Sequence, residues 1–429
     1  MKYLPIDTNL FISNRERYIK GIKPNSLAIF NSNDEMFRNG DQEFLFRQNS
    51  NFFYLTGIDQ AKSILLIFPD CVNPKFREAL FVEETNEHIA IWYGKKYSKE
   101  EASAVSGIKN VFWLDAFDAA LKEVMSSCEY VYLNTNENPR YSSPVTYRDH
   151  RFIKELISSY PAHKYERSAP ILDKLRTIKS PIEINLIKEA INITDKAFRR
   201  VLNFVKPGVM EYEVEAEITH EFIKNRANGH AYFPIIASGK SASVLHYIEN
   251  NKECKDGDLL LLDFGAEYAN YAGDLSRTIP VNGKFSIRQK EVYNACLYVM
   301  REAKKMLVPG TTIDNYHTEV CKIMNEELIK LRLYTVDDVK KQNPEKPMYF
   351  KYYMHGTSHF MGLDVHDVGT KQETIKQGMV FSCEPGIYIP EEGIGVRIEN
   401  DILITEKGSI DLMANIPVEV DEIEDIMKS

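Results

Sequence analysis

The sequence holds no C-x-x-C pair, no block of Lys and Arg, and no apolar run longer than a strand. Its six cysteines, at 71, 128, 254, 296, 321 and 383, lie scattered through 429 residues. That spacing excludes a disulfide framework or a cysteine-built zinc site and suits reduced thiols. The net charge is −9, and a chain without a basic face cannot neutralise phosphates, so no nucleic-acid partner is expected. Its longest apolar stretches, Ser63 to Phe68 and Leu259 to Leu262, fall far short of the roughly 20 residues that span a bilayer. No membrane partner is expected either. The opening MKYLPIDTNLFISNRERY lacks the basic, apolar, small order of a secretory signal, and the expected location is cytoplasmic.

Several catalytic motifs are missing as well. His220-Glu221 begins like a zinc-protease helix, but Lys224 stands where the second histidine is required. Gly239-Lys240-Ser241 ends like a phosphate loop, yet Pro234 replaces its leading glycine. There is no nucleophile-elbow serine.

What is present is an ordinary soluble composition, 44% hydrophobic and 27% charged, at a length that suits two or three domains. Before residue 172, strand-like runs (Ser26 to Phe30, Ser63 to Phe68, Tyr130 to Asn134) alternate with helical stretches such as Tyr97 to Ser106 and Ala116 to Ser126. Such alternation reads as an α/β domain. A second unit opens at Ser180-Pro181 with Glu183 behind it, a cap, a first-turn proline and an early acid that start a helix. That helix is expected to run to Val205 and stop before Lys206-Pro207-Gly208, a second from near Met210 to about Asn225, and two more over Arg288 to Leu307 and Thr312 to Leu331. From Tyr352 to the end the reading is strands and turns. The expected boundary divides 1–172 from 173–429.

Three segments of the second unit concentrate acids and histidines. In the first, the strand Leu259 to Leu262 continues into Asp263, stops at Gly265, and returns with Asp274 on its partner strand. Two acids converging on a buried hairpin repel each other unless cations neutralise them, although strand-end aspartates also cap turns. The second, His355-Gly-Thr-Ser-His359-Phe-Met-Gly-Leu-Asp-Val-His366-Asp367, carries three of the ten histidines, and imidazole suits transition metals and proton transfer near neutral pH. The third places Glu384 before a Pro385-Gly386 turn and sets Arg397 two residues from Glu399. On a strand those two share a face, which leaves open an Arg397–Glu399 ion pair or a metal-ligating Glu399 with Arg397 beside it. Four carboxylates carry −4 and two divalent cations +4, so a dinuclear site balances. With one imidazole it suits Mn²⁺ and admits Co²⁺, Fe²⁺ or Zn²⁺, and hydrolysis is the natural reaction of such a pair.

Together D-F-G…Y-A-G-D, H-G-T-S-H, E-P-G and R-I-E resemble the metal-site signature of the pita-bread metallopeptidases. The wording HGTSHFMGLDVHD and EPGIY is similar to the aminopeptidase P and prolidase branch. RQNSNFFYLTG, from Arg47 to Gly57, resembles the N-terminal domain of aminopeptidase P. The resemblance implies an α/β N-terminal domain followed by an α+β pita-bread catalytic domain with two pseudo-symmetric halves. It implies metal ligation by Asp263, Asp274, His359, Glu384 and Glu399, with Asp274 and Glu399 shared and Glu384 also moving the proton from a metal-bridging hydroxide's water. It places His246 near the scissile carbonyl, His366 at the oxyanion, and His355 and Arg397 at the substrate. The implied substrate is a peptide with an N-terminal Xaa-Pro, and the implied assembly a homo-oligomer, dimer or tetramer. The alternatives are an Xaa-Pro dipeptidase (prolidase) with the same ligands, and a metal-free binding module on the same fold. Cys383, beside Glu384, is expected to point away from the metals.

Overall fold

The runs S-L-A-I-F-N and I-L-L-I are buried at every position because both lie inside a six-stranded mixed sheet. Its spatial order is Asn110–Trp113, Glu78–Val82, Ile64–Ile67, Ser26–Asn31, Tyr130–Leu133 and Lys164–Arg167. Ser26–Asn31 pairs antiparallel with Ile64–Ile67 and parallel with Tyr130–Leu133. A strand covered on both faces reads as a continuous apolar run, as these do. Helices Lys99–Ser106 and Phe117–Met125 stand where the sequence pattern expects them. The stretch from Arg47 to Gly57 folds as a helix, Ser50–Thr56, capped by the Asn49 side chain and stopped by Gly57 at φ 68°.

The computed structural model describes residues 2–428, and its internal contacts separate Tyr3–Arg176 from a second unit that begins at Thr177. In that second unit the Ser180 cap works as its residues dictate. The Ser180 hydroxyl accepts from Glu183 N, and the Glu183 carboxylate accepts from Ser180 N at 2.8 Å. The helix Pro181–Phe204 follows, then Glu211–Lys224. Behind them comes an antiparallel sheet of Ile235–Ser238, Leu259–Phe264 and Leu275–Pro280. The pattern then repeats, with two helices, Ile287–Met306 and Ile313–Lys330, followed by an antiparallel sheet of Val380–Cys383, Asn400–Thr405 and Gly408–Asp411. Two helices and a three-stranded sheet, twice, give the unit its two halves.

Two expectations need correcting. The chain does not finish in strands and turns: Val420–Lys428 is a helix. Val420 and Ile423 are buried at helical spacing, and buried Glu424 accepts from Phe285 N at 3.0 Å and pairs with Lys290 at 2.9 Å. Asp274 also lies one residue ahead of its expected strand, which starts at Leu275. Between the two aspartates the chain inserts a small hairpin, Ala266–Tyr268 with Tyr271–Ala272. The hairpin closes on itself so tightly that a Cβ on Gly265 would sit 1.7 Å from the Gly273 carbonyl oxygen. Only glycine fits there.

Candidate active site and metal centre

Three backbone arrangements bring the distant acids together. Asp263 lies in the central strand of the first sheet, opposite Ser276. The His355–Met361 segment runs beside Val380–Cys383, with Met361 N bonded to Val380 O, Ser382 N to His359 O, and Glu384 N to Thr357 O, all at 2.8–3.0 Å. That pairing sets His359 and Glu384 side by side. Glu399 is tied to the first sheet by its own N–H to Ser276 O at 3.0 Å and by the buried Arg277, which donates to Glu399 O at 2.7 Å.

The side chains then meet. His359 Nε2 lies 3.3 Å from Asp274 and 3.6 Å from Glu384. Asp274, His359 and Glu399 each offer a ligand atom within 4.8 Å of the others. The Tyr232 hydroxyl reaches Asp263 at 2.7 Å and Asp274 at 2.5 Å. Ser276 Oγ donates to Glu399 at 2.6 Å. The sequence left open an ion pair between Arg397 and Glu399, and the structure decides against it. Arg397 spends its guanidinium on Asp263 at 2.5 Å, Ser276 Oγ at 2.9 Å and Tyr388 OH at 2.9 Å.

The electrostatics of this cluster follow from crowding. Burial, with Asp274 beside it, pushes Asp263 upward against the pull of Arg397. Burial likewise raises Glu384 to about 7, opposed by His359 and Arg397. Glu399 is driven well above the carboxylate range by burial and by three neighbouring acids. Burial alone would lower His359, but Asp274 and Glu384 outweigh it and lift the imidazole to about 9. A fifth acid, Asp401, accepts from Asp274 N at 3.2 Å, and its other oxygen has no partner. Such a set of five acids calls for more positive charge than Arg397 and His359 supply.

Two histidines have their tautomers fixed. His359 Nδ1 donates to Phe360 O at 3.0 Å, which turns Nε2 toward the carboxylate oxygens, where it carries a proton beside Asp274 and would offer its lone pair to a cation in that proton's place. His355 is bonded at Nδ1 to Gly356 O and at Nε2 to Tyr388 OH, both at 2.8 Å. Because Tyr388 OH accepts from Arg397, its own proton goes to His355 Nε2. Burial and Arg397 push His355 down to about 3, so it is neutral. His366 is exposed, with its ring 4.2 Å from that of His359 at 82°. His246 is also exposed and lies close enough to His355 for charge on one imidazole to oppose charge on the other. Cys383 faces away as expected, buried with its thiol 3.6 Å from Tyr316 OH and pushed up to about 12 by burial.

The family model described as metallopeptidase family M24 matches residues 185–406, and that of the aminopeptidase P N-terminal domain matches residues 11–132. The chain belongs to metallopeptidase family M24. It is 35% identical to the Xaa-Pro aminopeptidase of Haemophilus influenzae, over 97% of this chain and 96% of that one. Among solved structures it is similar to Pseudomonas aeruginosa aminopeptidase PepP, with a TM-score of 0.90 and 31% identity over 99% of this chain and 98% of that one. It is also similar to zinc-substituted E. coli aminopeptidase P in complex with product, with a TM-score of 0.88 and 32% identity over 99% of both chains. The M24 chain is therefore a metal-dependent aminopeptidase, a hydrolase, with an aminopeptidase P-type N-terminal domain and a pita-bread catalytic domain.

The donor set fits the divalent cations that an M24 enzyme uses: hard carboxylate oxygens, one imidazole turned inward, and crowded negative charge. Four residues of the site escaped the sequence reading. Tyr232, Ser276 and Asp401 carry no local signal, because only the fold brings them beside the acids. Tyr388 lies within the quoted EPGIY, but its role depends on Arg397 from the neighbouring strand.

Proposed function

We propose that this M24 peptidase releases the N-terminal residue from peptides with proline in second position, using two divalent cations, Mn²⁺ foremost. Asp263 would serve one cation, His359 and Glu384 the other, and Asp274 and Glu399 both. The observation that carries this reading is the grouping of Asp274, His359 and Glu399 within 4.8 Å, with Glu384 beside His359 and Asp263 joined to Asp274 through the Tyr232 hydroxyl. Bound divalent cations supply Lewis acidity, which acidifies water and polarises a carbonyl.

The chain's own residues do the rest. Glu384, beside His359 in the cluster, would take a proton from the attacking water and give it to the leaving nitrogen. His366, exposed with its ring against that of His359, would donate to the developing oxyanion, and His246 to the scissile carbonyl. His355 has both ring nitrogens engaged, so it lines the substrate site with its ring and not with a free donor. Arg397, expected at the substrate, is better read as the holder of Asp263, since its three hydrogen bonds all point inward. A bond before proline is a tertiary amide without an N–H, and a site that activates water does not need that missing donor.

The two units support a domain division near residue 172, with 1–172 as the aminopeptidase P-type domain and 173–429 as the catalytic domain. We further read the protein as cytoplasmic and self-associating, as a dimer or tetramer. Among the described residues no helix is long and apolar enough to cross a membrane, and Ile91, Trp92 and Tyr93 lie exposed in a row. A panel of Xaa-Pro and Xaa-Pro-Yaa peptides, with Mn²⁺, Co²⁺ and Zn²⁺ supplied in turn, tests the activity. Release of Xaa from the longer peptides is expected, and turnover of the dipeptide alone would make the enzyme a prolidase.

A further inference from the structure

One carboxylate outside the acid cluster is buried just as deeply. Glu211, the first residue of the helix Glu211–Lys224, is 0% exposed. One of its oxygens accepts from Ser238 N at 2.8 Å and Ser238 Oγ at 2.7 Å. The other accepts from Tyr247 OH at 2.7 Å and Lys252 N at 2.9 Å. Its backbone N–H donates to Lys252 O at 2.9 Å. Four donors converge on one side chain, so the buried charge is fully satisfied.

Those donors share a location. Ser238 ends its strand, Tyr247 follows His246, and Lys252 closes the segment between them. Glu211 thus gathers the start, middle and end of the stretch that bears His246. Secondary ties reinforce it: Lys252 Nζ donates to Ser241 Oγ at 2.7 Å, and Asn250 Nδ2 to Glu215 at 2.8 Å. On its other side the segment presses on the strand that carries Arg397, where a Cβ on Gly395 would lie 2.4 Å from Ala242 O. Yet Val244, His246 and Ile248 stay exposed. The segment is anchored from behind and presents His246 outward.

We propose that Glu211 is a positioning residue for His246, its carboxylate fixing the Gly239–Lys252 segment that presents the imidazole outward. This rests on the role given to His246 above. The requirement is for a carboxylate and not merely a polar group. In Glu211→Gln the new NH₂ would face Lys252 N–H, a donor against a donor, and half of the anchor fails.

The test is a double-mutant cycle. kcat/KM on an Xaa-Pro-Yaa peptide and bound Mn²⁺ equivalents are measured for Glu211→Gln, His246→Ala and the double variant. Glu211→Gln is expected to lower kcat/KM at least tenfold with Mn²⁺ binding unchanged, and to cost less than twofold more once His246 is alanine. Losses that multiply in the double variant would overturn the proposal alone, as would wild-type kcat/KM in Glu211→Gln. Wild-type kcat/KM in His246→Ala would overturn the role of His246 and the proposal with it. If Glu211→Gln fails to fold, Tyr247→Phe removes a single one of the four bonds, and its smaller loss must likewise vanish in the His246→Ala background.

Discussion

Glu211 and Glu399 are equally buried, 0% and 2% exposed, yet one is ringed by donors and the other by acids. Around Glu211 the chain provides every hydrogen bond that a carboxylate needs. Around Glu399 it provides Ser276 Oγ and sets Asp274, Glu384 and Asp263 close enough to raise it by repulsion. Asp367 shows a third solution: it pairs with Lys179 at 2.9 Å, with both side chains 1% exposed. The contrast separates architecture from chemistry. A buried acid that the fold satisfies holds the fold, and a group of acids that the fold leaves in conflict waits for cations.

The sharpest way to break this contrast is to remove a member of the unsatisfied set. Glu384→Ala is expected to keep the fold by circular dichroism and to lose about 10³-fold or more in kcat, since it removes the proton carrier and a ligand together. Unchanged turnover would strip Glu384 of its role. Asp274→Asn deletes a charge that both cations share, and elemental analysis should find at least one equivalent missing. Two equivalents retained would count against the shared position.

The Lys179–Asp367 pair should respond through stability instead. Lys179→Met leaves Asp367 charged, buried and without its lysine, and should cost about 3–5 kcal/mol in urea unfolding, with the metal content of the folded enzyme unchanged. A loss below ~1 kcal/mol would show that water already reaches the pair.

A gentler probe is pH. Glu384 is raised from 4.5 to about 7, so its stabilising proton is fully in place below about 4.5 and is lost as pH rises through 7. His359 is raised from 6.5 to about 9, and its contribution is lost between those values. Both act in the same direction. The chelated protein should lose roughly 5–10 °C in Tm between pH 5 and pH 9, and added Mn²⁺ should flatten the curve. A Tm that rises over this range without metal would contradict the crowding.

Much of this was legible in the sequence, for identifiable reasons. The Ser180-Pro181-Glu183 cap is a local signal, and the helix starts where it says. The five ligand candidates stood out because acids and histidines are rare beside glycines in buried-looking strands. The final helix was misread because Val418-Glu419-Val420-Asp421 alternates like a strand, while the burial that decides it, at Val420 and Ile423, comes from packing. The Arg397–Glu399 pair was a fair reading of two residues on one strand face. It fails because the strand ends at Arg397, and Asp263, 134 positions earlier, takes the guanidinium. Tyr232 and Asp401 act only through neighbours distant in sequence, and no local pattern announces them.

The most direct measurement titrates Mn²⁺ into the chelated enzyme while following release of the first residue from an Xaa-Pro-Yaa peptide. Activity is expected to be absent at the start, to rise with bound metal and to level off at two equivalents. Full activity in the chelated protein, or saturation without any bound Mn²⁺, would contradict a cluster of acids built to be completed by cations.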